Sequence, residues 1–180
     1  MRRVRFSVAV SLDGYIAGPG GEMDWLVWSD DAAALARAHW QGFDTVLLGR
    51  KTYEVAARSG QAGGDPGGIR SFIFSRSLTE SPSPHARLVA DDAVGFVRAL
   101  KAEAGQDILL MGGGDLAGSL IAGGVVDEIG LNVHPVVLGG GAPLFPASVD
   151  RLELALRETR PLAKGCVLMS YGSAGPPRPA

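Results

Sequence analysis

The chain has 180 residues, 46% of them hydrophobic and 20% charged, with 17 Lys plus Arg against 19 Asp plus Glu and a formal charge of −2. That is enough for one hydrophobic core, too little for two comfortable domains, and too apolar for wholesale disorder. A nearly neutral chain carries no general field for nucleic acid, and no stretch reaches the roughly 18 apolar residues of a membrane span.

Val4 to Leu12 reads as the first strand, with Val4, Phe6, Val8 and Val10 at a period of two before Asp13-Gly14. The basic start, Met1-Arg2-Arg3-Val4-Arg5, leads into no long apolar run, so no signal peptide is read. Pro19 to Trp28 is a loop, and Ser29 or Asp30 caps a helix running to about Gln41. Thr45-Val46-Leu47-Leu48 is apolar throughout, as a central strand covered on both faces would be. Gly49 turns into a short helix near Thr52 to Ala57, and Ser59 to Gly68 is a surface loop. Ile69 to Ser75 and Arg87-Leu88-Val89 are strands, and Asp91 or Asp92 caps a helix to about Ala104. Asp107 to Met111 is the next buried strand, followed by three glycines and a helix from Asp115 to Ala122.

Val125 to Val133 reads as a strand, Gly139-Gly140-Gly141 as a mobile or tightly turned loop, and Leu152 to Thr159 and Gly165 to Tyr171 as two last strands. Alternation of strands and helices through the middle implies a largely parallel sheet covered on both sides. The last two strands lack a helix between them and pair antiparallel. The whole is one domain over 1–172, with a flexible, proline-rich tail over 173–180. The single Cys166 lies in an apolar run as a buried thiol, and its isolation fits a reducing, cytoplasmic setting.

Four stretches offer chemistry. In Gly49-Arg50-Lys51-Thr52 a strand runs into two cations at a helix start, either a phosphate cradle or a surface turn with solvated charges. Gly112-Gly113-Gly114-Asp115-Leu116 is either a second cradle, for a pyrophosphate, or a tight turn. Ser75-Arg76-Ser77 offers two hydroxyls and a guanidinium after a strand, as a ribose phosphate would need or as an ordinary loop would have. Around Trp25, Trp28, Asp30 and Asp31, an acid at a helix start either caps the helix or meets a ring amine and steers a proton. His39, His85 and His134 are too scattered to imply a metal site, and no G-x-S-x-G is present.

Taken together, five segments resemble the dihydrofolate-reductase-like superfamily, and within it the family of the C-terminal reductase domain of bifunctional riboflavin-biosynthesis deaminase–reductases. They are Ser11-Leu12-Asp13-Gly14-Tyr15-Ile16-Ala17, Leu48-Gly49-Arg50-Lys51-Thr52-Tyr53-Glu54, Gly112-Gly113-Gly114-Asp115-Leu116-Ala117, Val125-Val126-Asp127-Glu128 and Pro135-Val136-Val137-Leu138-Gly139-Gly140-Gly141. The resemblance implies a three-layer α/β/α fold with a mixed, mostly parallel central sheet of about eight strands.

It implies NADPH over Gly49, Arg50, Lys51 and Thr52, over Ser75, Arg76 and Ser77, and over Gly112, Gly113, Gly114, Asp115 and Leu116. Arg50, Arg76 and Ser75 would lie about the 2′-phosphate and diphosphate. It implies hydride transfer to a small heterocycle, with Asp30 as the catalytic acid and Trp25, Trp28 and Asp31 about the substrate. Activity on dihydrofolate-like or 5-amino-6-(5-phosphoribosylamino)uracil-like substrates follows, as does a homodimer. The alternative is a nucleotide-binding or regulatory protein without efficient turnover. Two departures stand out. Asp24 occupies the place of the reductases' proline, and Met111 precedes the triple glycine where riboflavin-pathway enzymes commonly carry an acid.

Overall fold

The computed structural model describes residues 1–58, 68–112, 114–146 and 149–173. Most of the Ser59 to Gly68 loop, Gly113 and nearly all of the proposed tail fall outside them. Ten strands and four helices follow in chain order among the described residues. β1 (Val4–Ser11) and the short β2 (Tyr15–Ala17) precede α1 (Asp30–Trp40), β3 (Phe43–Gly49) and α2 (Arg50–Arg58). Then come β4 (Arg70–Phe74), β5 (Ala86–Val89), α3 (Ala93–Ala102), β6 (Asp107–Met111) and α4 (Gly114–Ala122). β7 (Glu128–His134), β8 (Ala142–Pro143), β9 (Leu154–Pro161) and β10 (Val167–Ser173) complete the fold, with a 3-10 turn at Ala163–Gly165.

Eight strands form one sheet in the order β5-β4-β3-β6-β1-β7-β10-β9. The first six in that order are parallel, while β10 runs antiparallel to both β7 and β9. Side-chain alternation along each strand divides the core between two layers. Val4, Phe6, Leu47, Phe72, Ile108 and Leu110 face α3 and α4, meeting Val97, Leu100, Ala117 and Leu120. Phe43, Val46, Leu48 and Leu109 face the other way, toward Trp40 of α1 and Tyr53 of α2. Burying each large apolar side chain contributes roughly 1.5–3 kcal/mol, so these interlocked layers carry most of the fold's stability.

The continuous apolarity of Thr45 to Leu48 is explained by position: β3 pairs with β4 on one side and β6 on the other. The expected strand at Val125 starts later, at Glu128. Its first residues are used otherwise, because the Val125 carbonyl and the Asp127 carboxylate both accept from Lys101 Nζ, and Asp127 also accepts from the Val4 amide at 2.7 Å. The α2 helix begins two residues before Thr52, directly where β3 ends. β10 runs through Gly172 to Ser173, beyond the expected Tyr171.

β2 and β8 were not legible as strands. They pair with each other over two or three residues, held by the clasp that Asp13 makes. Its carboxylate accepts from Ser11 Oγ at 2.6 Å, Gly139 N at 2.8 Å and Leu138 N at 3.1 Å. The Gly139–Gly141 segment bends sharply, with Gly139 at φ +72° and Gly141 at φ +131°. Donation from Ser11, with further donation from Gly139 and Leu138, holds the Asp13 carboxyl below its ordinary value against the opposing effect of burial.

Candidate functional site

All six parallel strands end at one edge of the sheet, and there the predicted phosphate loops converge. They border an open groove of about 580 Å³ that reaches from the ends of β3, β4 and β5 to the start of α4. Gly49, Arg50, Lys51, Thr52, Ser75, Arg76, Ser77, Asp115 and Leu116 all line it. Gly112 and Gly114 stand behind this wall, and Gly113 lies outside the described residues.

The first wall is the start of α2. Two cations, Arg50 and Lys51, occupy its first turn with no acid among them. Free N–H groups give a helix start a partial positive charge, so two cations there are mutually unfavourable by a few tenths to about 1 kcal/mol each unless an anion joins them. Arg50 offsets part of this by donating to Glu54 Oε1 at 2.6 Å one turn on, with both side chains partly exposed. Such an exposed pair is worth little, and leaves the guanidinium free to share a stronger anion.

The second wall is the turn after β4. Ser75 Oγ accepts from the amides of Ser77 and Leu78, each at 3.2 Å, and lies 3.3 Å from Ser77 Oγ. The Ser75 hydroxyl thereby shapes the turn, and the Ser75 amide extends the sheet by donating to the Val89 carbonyl at 3.1 Å. Arg76 projects from this turn, exposed and without an ion pair among the described residues.

The third wall is the β6–α4 junction. Gly112 adopts φ +55°, a left-handed conformation that favours glycine. A Cβ there would lie 2.8 Å from both Cγ2 and Oγ1 of Thr52, so the two cradles touch with no room between them. Gly114 is equally tight, since its Cβ would lie 2.8 Å from the Pro143 carbonyl.

Sequence reasoning missed the fourth wall, made by Ala90, Asp91 and Asp92 at the end of β5 and the start of α3. The two acids read only as helix caps, and Asp92 is one: its carboxylate accepts from Gly95 N at 2.9 Å from a left-handed backbone. The signal available was position, because an acid directly after a parallel strand sits at the sheet's ligand-facing edge.

The predicted substrate residues do not line this groove. Trp25 is half-buried, donates from Nε1 to the Glu22 carbonyl at 3.1 Å, and stands edge-on to the His134 ring at 5.4 Å. Trp28 is 62% exposed, with its carbonyl accepting from Lys164 Nζ at 2.6 Å. Asp31 ties the start of α1 to the 3-10 turn, accepting from Ser29 Oγ and from the amides of Ala32 and Ala163. Those bonds, Ser29's foremost, hold its carboxyl below the ordinary value. Ser29 occupies the cap position but makes no cap bond, because its hydroxyl donates to Asp31. Asp30 is exposed, and helical spacing places it on the outer side of α1 with Ala34, Arg37 and Ala38, opposite the buried Ala32.

A second patch reached by solvent lies over β1 and β7, on the face that α1 covers. Ser7, Ala9, Gly130 and Asn132 share that face and stay partly exposed although both strands are central. His39 of α1 reaches Ser7 Oγ at 3.0 Å. His134 and Cys166 close the far end, both buried, with the thiol 3.6 Å from His134 Nδ1. Burial lowers the His134 pKa and raises that of Cys166, so both are neutral at ordinary pH. No described helix is long and apolar enough to cross a membrane.

Comparison with known proteins agrees with this fold. Residues 2–168 match the model of the family described as RibD C-terminal domain. The uncharacterized protein YyaP of Bacillus subtilis (strain 168) is 34% identical over 180 residues, covering 94% of each chain. A candidate riboflavin biosynthesis protein from Shewanella sp. PV-4 superposes with a TM-score of 0.81 at 26% identity, over 96% of this chain and 99% of its own. Two more distant structures share the fold at a TM-score of 0.71. A diaminohydroxyphosphoribosylaminopyrimidine deaminase/5-amino-6-(5-phosphoribosylamino)uracil reductase from Thermotoga maritima is 17% identical, with 96% of this chain matching 57% of that one. Dihydrofolate reductase from Enterococcus faecalis, complexed with NADP(H) and RAB-propyl, is 16% identical over 96% of both chains.

Proposed function

The chain belongs to the RibD C-terminal domain family, within the dihydrofolate-reductase-like superfamily, and from that membership we propose that it is an NADPH-dependent reductase of a small pterin-like or ribosylaminopyrimidine-like heterocycle. The observation that carries the reading is the convergence of three loops on one groove, each with anion-binding chemistry and two of them in van der Waals reach of each other.

The groove's donor set fits the cofactor. The first turn of α2, with Lys51 and no acid, suits a diphosphate, and Arg50 and Arg76 with Ser75 and Ser77 suit the additional 2′-phosphate. When bound, NADPH supplies the hydride. The chain's own part is to hold the dinucleotide along the strand ends and to bring its ring toward the boundary of β6 and β1, where Met111 pairs with Ser7. The substrate ring then lies over Ser7, Ala9, Gly130 and Asn132. Of the two acids at the start of α1, Asp31 is committed to three donors of the protein and Asp30 stands on the outer side of the helix, so the acid role expected of Asp30 has no support from its position.

The same reading includes a homodimer. Leu154 and Leu156 lie two apart on the edge strand β9, 36% and 53% exposed, with Leu152 just before them at 48%. An apolar sheet edge of this kind is a liability unless covered, and a second copy of the chain covers it.

Loss of absorbance at 340 nm with dihydrofolate, dihydrobiopterin and 5-amino-6-(5-phosphoribosylamino)uracil tests the assignment. Turnover of one of them with NADPH is expected. Cofactor binding without turnover of any would favour a binding protein on this fold, and absence of cofactor binding would overturn both.

A further inference from the structure

Resting on the reductase reading, we propose that Asn132 of β7 selects the substrate, offering a side-chain N–H to a ring carbonyl, so that the cleft prefers oxo-heterocycles over their amino counterparts. His134 stands two residues on along the same strand face. Its Nδ1 accepts from the Val27 amide at 3.0 Å. A neutral imidazole that accepts at Nδ1 carries its proton at Nε2, so Nε2 is a donor. That donor meets the Asn132 amide at 3.1 Å. The two ends of an asparagine amide are distinguished by their hydrogen-bonding partners, and a donating Nε2 requires the oxygen on its side.

The far end of the amide is then the NH₂. That end is buried and has no partner; the only other such orphan among the described residues is on Arg2, at the opposite end of the strands. Asn132 lies between Ala9 of β1 and Leu168 of β10 in the ladder, with Gly130 preceding it on the same face. Its neighbours toward β1, Ala9 and Ser7, are small and stay partly exposed, so solvent reaches the floor beside the amide. Trp25, edge-on to His134, and Cys166 hold the imidazole from two other sides, so the donor's direction is fixed by the fold. An unpaired buried donor favours a ligand that brings an acceptor, and disfavours one that brings another donor.

Two rings of the same size and shape separate the cases: 5,6-diaminouracil, which presents carbonyls at positions 2 and 4, and 2,4,5,6-tetraaminopyrimidine, which presents amines at those positions. Each is titrated calorimetrically into the wild-type protein and into Asn132→Asp and Asn132→Ser, with melting temperature and NADPH affinity measured alongside. The wild type is expected to bind the uracil at least about tenfold more tightly, the size of one buried hydrogen bond. Asn132→Asp, which offers only acceptors, should reverse the order, and Asn132→Ser should level it, with NADPH affinity unchanged in both. Long-range ¹⁵N–¹H spectra should place the His134 proton on Nε2. A wild type that binds neither ring or prefers the tetraamine, an order unchanged in both variants, or a proton on Nδ1 would overturn the proposal. Loss of NADPH binding in the wild type would instead overturn the reductase reading, while the ring preference is read independently of it.

Discussion

Replacing Gly112 by alanine tests the contact on which the groove depends. Two costs are separable. Alanine at φ +55° pays for a left-handed backbone, roughly 1–2 kcal/mol. Its Cβ also falls 2.8 Å from both branches of Thr52, a β-branched side chain on α2 with little rotameric freedom to retreat. Overpacking of this kind costs about 1–3 kcal/mol, so Gly112→Ala should destabilise the fold by about 2–5 kcal/mol in total. In a Thr52→Ala background both clashing atoms are gone and only the backbone cost remains. Urea melts of the four proteins in the cycle should therefore give a coupling of about 1–3 kcal/mol between the two positions. An equal cost in both backgrounds would refute close contact between the β3–α2 and β6–α4 loops, and with it the geometry of the groove.

Further outcomes follow from single groups. Arg50→Ala should weaken NADPH binding roughly ten- to hundredfold and NADH binding less, measured by fluorescence titration, as loss of a charge-assisted contact requires. Asp30→Asn should leave kcat and NADPH affinity within about twofold of the wild type, as an exposed acid on the outer side of α1 requires; a hundredfold loss of kcat would restore it to the chemistry. The Asp13 carboxyl sits below its ordinary value when folded. Its stabilisation is therefore complete above the unfolded-chain value of about 3.9 and is lost as pH falls through the lower folded value. Asp13→Asn should lower the melting temperature at pH 7 and flatten the acid limb of the stability profile, and a parallel acid limb would contradict the clasp. Light scattering after size exclusion should give twice the single-chain mass of 18.7 kDa, and a single-chain mass at micromolar protein would exclude the β9 dimer.

The parallel strands were legible because their signal is local. Asp107 to Met111 reads as one apolar run and folds as one, and Leu47 announces a central strand by having no polar alternate beside it. The antiparallel pairing of β9 with β10 followed from the absence of a helix between them. What stayed hidden depends on partners far along the chain. β2 and β8 are each too short to show a period, and they form because Asp13 reaches residues 138 and 139. The delayed start of β7 is set by Lys101, which claims Val125 and Asp127. At the site, the phosphate loops were found because glycine, cations and hydroxyls at strand ends carry their chemistry in the sequence. Asn132 was not, because its meaning comes from His134 and Val27, which fix its amide only in three dimensions.

The central claim is that this groove holds NADPH, and calorimetric titration of NADPH and NADH into the same purified protein tests it most directly. One NADPH per chain should bind, at least about tenfold more tightly than NADH, as one charge-assisted contact to the 2′-phosphate requires. Equal affinity for the two would contradict the roles given to Arg50 and Arg76, and no heat with either would contradict the reading of the groove itself.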